Sequence, residues 1–183
     1  GQMTNLQVQD IYWPDHAMNF DLKVIPPEPL QAVTVDWGAR DANWFFDFPT
    51  SARTVTSMLE SSKVYKDQNV TFDAVFALNI RVIETLLGIL GPIDIPDYKL
   101  KIGADNFLVE IQREVEVGRD KKPGQNPKKI LSVITPIILQ KLADVEEKNR
   151  VALAEAVKTH FEKKDIMIYA KDDNLASFFQ SIG

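Results

Sequence analysis

Residues 72–95, FDAVFALNIRVIETLLGILGPIDI, decide the fold class. Phe72 to Leu78 is a short apolar run that reads as a buried strand. Asn79 stands where a helix cap belongs, and the helix it opens carries Val82, Ile83, Leu86, Leu87 and Leu90 on one face before Gly91-Pro92 stops it. Ile93 and Ile95 then alternate into a second strand. Strand, helix and strand in that order predict an α/β layer.

Upstream, Leu6 and Val8 alternate with polar neighbours and predict a strand over 4–9; Leu22, Val24 and Ile25 predict another over 20–25. Pro26-Pro27-Glu28-Pro29 removes amide donors and fixes φ, so 26–35 is expected to be an ordered crossing loop. After the break at Pro49, with Thr50 or Ser51 as cap, Val55, Met58 and Leu59 predict a helix from about 51 to 63. Downstream, Gly103 or Asp105 opens a helix with Phe107, Leu108, Ile111 and Val115, followed by a Lys-, Gly- and Pro-rich loop over 118–127. Ile130, Leu131, Ile134, Ile137, Ile138 and Leu142 predict a largely buried helix kinked at Pro136. A further helix over 147–163 is expected to turn Val151, Leu153, Ala154, Val157 and Phe161 inward. A strand over 165–170 and a last helix with Leu175, Phe178 and Phe179, capped by Asp172-Asp173-Asn174, complete the pattern. The expected architecture is a mixed central sheet of 4–9, 20–25, 72–78, 93–95 and 165–170 with helices on both faces, in a single domain over 1–183.

A chain of 183 residues, 45% hydrophobic and 26% charged, is long enough to bury a sizeable core. A net charge of -5 without a dense basic stripe argues against nucleic acid. Lys121, Lys122, Lys128 and Lys129 form a local basic cluster, read as a solvated loop or as a phosphate-facing rim. There is no cysteine, so disulfides, thiolate metal sites and cysteine nucleophiles are excluded. The glycines are scattered and form no phosphate-binding loop, so no nucleotide cofactor is expected, and neither is haem or zinc. His16 and His160 are far apart in the chain and outside any nucleophile elbow; His16 fits a turn and His160 a helix surface. Asp97, Asp105 and Asp172-Asp173 are placed to cap turns and helices. Asn69-Val70-Thr71 matches the glycosylation tripeptide, a pattern frequent by chance.

The densest chemistry lies over 36–53, where Arg40 and Arg53, Asp36, Asp41 and Asp47, and Trp37, Trp44, Phe45, Phe46 and Phe48 crowd ahead of a helix start. Arg40-Asp41 reads in two ways: as a phosphoryl and divalent-ion site, or as an ion pair that holds the loop beside tryptophan. Trp37 and Trp44 read as stacking platforms or as core anchors.

Arg40-Asp41-Ala42-Asn43-Trp44 followed by Asp47-Phe48-Pro49-Thr50-Ser51-Ala52 resembles the signature of a bacterial family catalogued as domain of unknown function 4012. Val8 to Tyr12, Phe72 to Leu78, Leu90-Gly91-Pro92, Ala104 to Phe107 and Ile166 to Tyr169 extend the resemblance along the chain. It implies a cell-envelope protein, extracytoplasmic and membrane-anchored in its full-length form by a helix outside this chain. The order of elements is also similar to the LytR-CpsA-Psr phosphotransferases, which move lipid-phosphate-linked glycopolymers onto peptidoglycan with a divalent ion. In that comparison Arg40-Asp41 falls on the centre of their Pro-Arg-Asp-Thr motif, while Ala39 and Ala42 depart from it; Lys128-Lys129 matches more weakly.

The resemblance places further strands upstream of this chain, so a preceding segment of the same protein is expected as a partner. On this reading Arg40 and Asp41 are the candidate catalytic residues, Arg53, Trp37 and Trp44 bind substrate, and Asp47, or Asp41 in its place, holds a magnesium ion. The expected ligand is a polyprenyl-phosphate glycan or peptidoglycan. The alternative is a non-catalytic cell-surface module whose aromatic loop contacts glycan or protein. Arginines and an aspartate converging on a cavity would mark the enzyme, and solvent-facing aromatics with paired arginines the module.

Overall fold

The computed structural model describes residues 6–12, 24–118 and 128–182. In chain order the helices and strands are α1 (Phe48–Ser61), α2 (Lys63–Lys66), β1 (Ala74–Leu78), α3 (Ile80–Leu90), β2 (Ile93–Ile95), β3 (Leu100–Ile102), α4 (Phe107–Val117), α5 (Lys129–Ala143), α6 (Glu147–Glu162), β4 (Ile166–Ala170) and α7 (Asp173–Ile182). The class is α/β. Among the described residues the strands form two separate two-stranded sheets, β1 with β4 and β2 with β3. Both are antiparallel: β2 and β3 pair Ile93 with Ile102, and β1 and β4 are bracketed by Lys171 N–H to Asp73 O and Asn79 N–H to Asp165 O. Residues 6–9 and 24–25 carry no strand, and the remainder of the strands expected over 4–9 and 20–25 lies outside the described residues. The loop expected over 26–35 contains a 3-10 turn, Glu28–Ala32, entered through Pro27.

The chain divides into two compact units, one centred on 78–166 and the other on 10–77 with 167–182. In the first, Asn79 Oδ1 accepts from the Arg81 amide to start α3, as expected, and Val82, Leu86 and Leu87 are its buried stripe. Gly91 ends the helix at φ 78° and ψ 167°, a region that only glycine occupies without strain. In β2, Ile93 and Ile95 point inward and Asp94 outward, the period of two that the sequence showed. A 3-10 turn over Pro96–Tyr98 returns the chain as β3, a strand that the sequence pattern did not announce.

Asn106 then organises the entry to α4: its Oδ1 accepts from Gly103 N–H at 2.8 Å and its Nδ2 donates to Lys101 O at 3.0 Å. Phe107 and Ile111 are buried as expected, whereas Leu108 faces outward, because one residue along a helix turns the side chain about 100° away from the buried stripe. Ile130, Ile134 and Ile138, four apart on α5, complete one continuous core with Leu87, Ile93, Ile95, Tyr98, Ile102, Phe107 and Ile111. Pro136 lies on the exposed side of α5, where its ring does not displace a core contact.

Helix α6 packs against α3 and corrects the expected facing. Val151 and Ala154 are exposed, whereas Leu153, Val157 and Phe161 are covered as expected, and Asn149, Ala156 and His160 join them in a helical stripe that includes polar residues. His160, expected on the surface, is buried. Two donors from later helices reach back to the end of α3, Lys141 Nζ to Leu90 O at 2.9 Å and Asn149 Nδ2 to Ile89 O at 3.4 Å. They satisfy carbonyls that have no partner inside the helix.

In the second unit, Asp47 rather than Thr50 or Ser51 caps α1, so the helix starts earlier than expected and includes Pro49 in its first turn. Lys171 and Glu60 tie the chain after β4 to the end of α1, with Nζ to Oε1 at 2.6 Å. Helix α7 is capped by Asp172, whose Oδ1 accepts from Leu175 N–H at 2.8 Å. Phe179 meets Phe76 edge-on at 6.0 Å, whereas Leu175 and Phe178 are exposed. No described helix is long and apolar enough to cross a membrane.

Candidate functional site

The segment over 36–53 is built on small residues. Ala39 lies in a 3-10 turn, Ala39–Asp41, and with Ala42 and Met58 it forms a buried cluster on which Trp37, Val55, Leu59 and Ile11 pack. Only alanine-sized side chains let this turn lie flat on α1. Ser51 fastens the loop ahead of the helix: its Oγ donates to Phe45 O at 2.9 Å and accepts from Phe45 N–H at 3.2 Å. Trp37 is held at both ends, its Nε1–H donating to Asp41 O at 3.1 Å and its backbone N–H to Val24 O at 2.9 Å. Its ring meets Phe45 edge-on at 6.2 Å.

With the small residues inside, the large ones are turned out. Trp44, Phe45 and Phe46 are 42%, 40% and 111% exposed, three consecutive aromatics at the surface. Trp37 is therefore a partly buried anchor, and Trp44 is available to solvent.

Arg40 and Asp41 make an ion pair, Nε to Oδ2 at 3.1 Å, with side chains 35% and 33% exposed. The pair is neither sealed nor fully in water. The guanidinium also lies 5.3 Å from the centroid of the Tyr12 ring. Arg53 belongs to a second group: its Nη2 donates to Thr50 Oγ1 at 3.0 Å, and it lies 5.8 Å from the Tyr169 centroid. Thr50 in turn donates both its hydroxyl and its amide to Asp47 Oδ2, the amide at 2.9 Å. The hydroxyl bond, then the amide bond, and then the nearby Arg53 charge hold the Asp47 carboxyl below the usual carboxylate range. Asp47 thus acts as the helix cap, with one oxygen committed to Thr50.

The expected site residues accordingly form two hydrogen-bonded groups, Arg40 with Asp41 and Asp47 with Thr50 and Arg53. Among the described residues no three His, Asp or Glu side chains are grouped to hold a metal ion. Glu60, in the same unit, accepts from the Lys171 ammonium and the Phe72 amide, and these bonds keep its carboxyl low. Of the lysines in the basic cluster, Lys128 and Lys129 stand at the start of α5, and Lys121 and Lys122 lie outside the described residues.

Two features of the other unit were not read from the sequence. An open cavity of about 190 Å³ lies beside the end of α3, lined by Leu90, Lys141, Asp144, Glu146 and Asn149 among others. Its lysine and asparagine are the donors that cap α3, which gives the cavity a structural origin. The second is a hydrogen-bonded chain of Thr85, His160 and Asp165, drawn from α3, the end of α6 and the turn before β4. The lone histidine on a charged helix was its only trace.

A family model described as "Protein of unknown function (DUF4012)" matches residues 7–115, more than half of the chain and all of the 36–53 segment. No curated protein and no solved structure matches.

Proposed function

We propose, taking as premise that the chain belongs to the DUF4012 family, that it is a non-catalytic binding module of the bacterial cell envelope that engages glycan or a partner protein through the loop Trp44-Phe45-Phe46. One observation carries this reading: three consecutive aromatics stand at the surface of a loop that is itself pinned by Ser51 and Trp37. Aromatic side chains in water are unfavourable unless a partner covers them, and a loop held in place keeps the ordering cost of binding low. Flat apolar faces suit stacking on sugar rings or on another protein's side chains. The arginines are engaged in local bonds, Arg40 with Asp41 and Arg53 with Thr50, as a module requires. On this reading the module works outside the cytoplasm.

A second reading draws support from the one-third exposure of the Arg40-Asp41 pair. In it the chain has a LytR-CpsA-Psr-like three-layer fold and transfers a lipid-linked phosphate glycan to the wall. Arg40 and Arg53 would neutralise the phosphate and a magnesium ion at Asp47 would stabilise charge in the transition state.

Co-sedimentation with insoluble peptidoglycan and titration with a polyprenyl phosphate separate the two. The module reading expects wall binding that Trp44→Ala and Phe46→Ala abolish and Arg40→Ala leaves intact. Polyprenyl-phosphate binding that requires magnesium and is lost in Arg40→Ala or Asp47→Asn overturns it in favour of the transferase.

A further inference from the structure

We infer that His160 is a proton-operated fastener within the 78–166 unit, and that its moving part is the hydroxyl hydrogen of Thr85. The imidazole is 8% exposed and bonded at both nitrogens, Nδ1 to Asp165 Oδ2 at 2.9 Å and Nε2 to Thr85 Oγ1 at 2.9 Å. Asp165 as a carboxylate only accepts, so Nδ1 carries a hydrogen in every state of the ring. Thr85 has one hydroxyl hydrogen and two acceptors for it, because its Oγ1 also lies 2.9 Å from Arg81 O.

The inventory closes in two ways. In the imidazolium, Nε2–H donates to Thr85 Oγ1 and the hydroxyl hydrogen returns to the Arg81 carbonyl, the usual back-bond of a helical threonine. In the neutral ring, the Nε2 lone pair takes the hydroxyl hydrogen, and Arg81 O keeps only its helix bond. No ring nitrogen is left unsatisfied in either state, so a proton enters or leaves a buried site without breaking it. Asp165 also joins the surrounding backbone, since its N–H donates to His160 O at 2.9 Å and its carbonyl accepts from Asn79 N–H at 2.7 Å. The fastener therefore connects the end of α6 to the cap of α3 and the entry to β4.

The same three groups meet the distance test for a nucleophile, base and orienting acid. Two observations speak against that role: the ring is covered, and the hydroxyl of the half-buried Thr85 is engaged with the Arg81 carbonyl of its own helix. Around the ring, α3 brings Arg81 and Glu84, and α6 brings Glu155, Lys158 and Glu162, the last two paired at 3.9 Å. The turn before β4 brings Lys163, Lys164 and Asp165. Glu84 is half-buried and Asp165 buried, and the other side chains are exposed. Among described residues the ring's hydrogen-bond partners are Asp165 and Thr85.

The test is nitrogen NMR of the imidazoles from pH 5 to 8 in the whole chain, with His16→Gln to assign the signals. The expected neutral form keeps its proton on Nδ1 and shows Nε2 as an acceptor, the reverse of the tautomer that a free histidine side chain prefers. The Arg81 carbonyl carbon should shift with the same midpoint, should do so in Thr85→Ser, and should not in Thr85→Val. A neutral ring protonated at Nε2, a ring that keeps one state throughout, or an Arg81 carbonyl that ignores the titration in both wild type and Thr85→Ser overturns the inference.

Discussion

The two units bury opposite kinds of residue. Around α3, α4 and α5 the most deeply covered side chains are large and aliphatic, Ile93, Ile95, Ile102, Ile130 and Ile134. Beside α1 they are small, Ala39, Ala42, Ser51 and Ala52, while Phe46, Phe76 and Phe178 face out. The first region is stabilised by apolar area removed from water. The second is held by side-chain to backbone hydrogen bonds, and it leaves its largest apolar groups available to something else. Similar hydrophobic content thus makes a core in one place and a surface in the other.

The contrast is most easily broken by truncating one residue in each region. Ile134→Ala should lose about 2–5 kcal/mol of unfolding free energy, since it leaves a cavity in a packed core. Phe46→Ala should change stability by no more than about 0.5 kcal/mol in the same urea titration, because its ring touches mostly water. Equal losses at the two sites would mean that Phe46 belongs to a core and that the loop is not a binding surface.

Gly91→Ala comes next. Nothing lies within 4 Å of a Cβ built at this position, so its cost of about 1–3 kcal/mol would be a backbone effect alone. Thermal unfolding checks it, and an unchanged Tm would show that the end of α3 relaxes.

Acid should then act on the α1 unit. Asp47 and Glu60 both have carboxyls held below their ordinary values by hydrogen bonds, so their contribution is complete above about pH 4–5 and is lost as pH falls through the folded values. A Tm that is flat from pH 7 to 5 and declines below about 4, with a shallower decline in Asp47→Asn, is the expected profile. The smallest effect belongs to Arg40→Ala, at most about 1 kcal/mol, because its pair with Asp41 is one-third exposed and screened by water. A larger loss would move Arg40 from the loop's rim into its scaffold.

What could be read from the sequence follows the same division. Asn79, the stripe from Val82 to Leu90 and the Gly91-Pro92 stop were legible because cap, period and breaker agreed over one short stretch. Strand β3 was not, because Leu100-Lys101-Ile102 is too short to show a period and takes its strand form from pairing with β2. On α6 the apolar part of the covered stripe, Leu153, Val157 and Phe161, was legible, whereas Asn149 and His160 were not, because these polar residues are covered through partners that come from α3 and Asp165. In the 36–53 segment the crowding of charge and aromatics was visible. Which aromatic anchors and which is exposed depended on Ser51 and two alanines, residues without any chemical signature of their own.

The bonds from Lys141 and Asn149 to the last carbonyls of α3 span 51 and 60 positions of chain. A helix whose terminus is closed by such remote donors is not an autonomous folding segment, however strong its own periodicity. A peptide ending before α5 would retain every residue of α3 yet fray at Ile89 and Leu90. In the intact chain, the final turn of α3 should resist solvent exchange only once α5 and α6 have docked, so that order arrives there last although its letters come early.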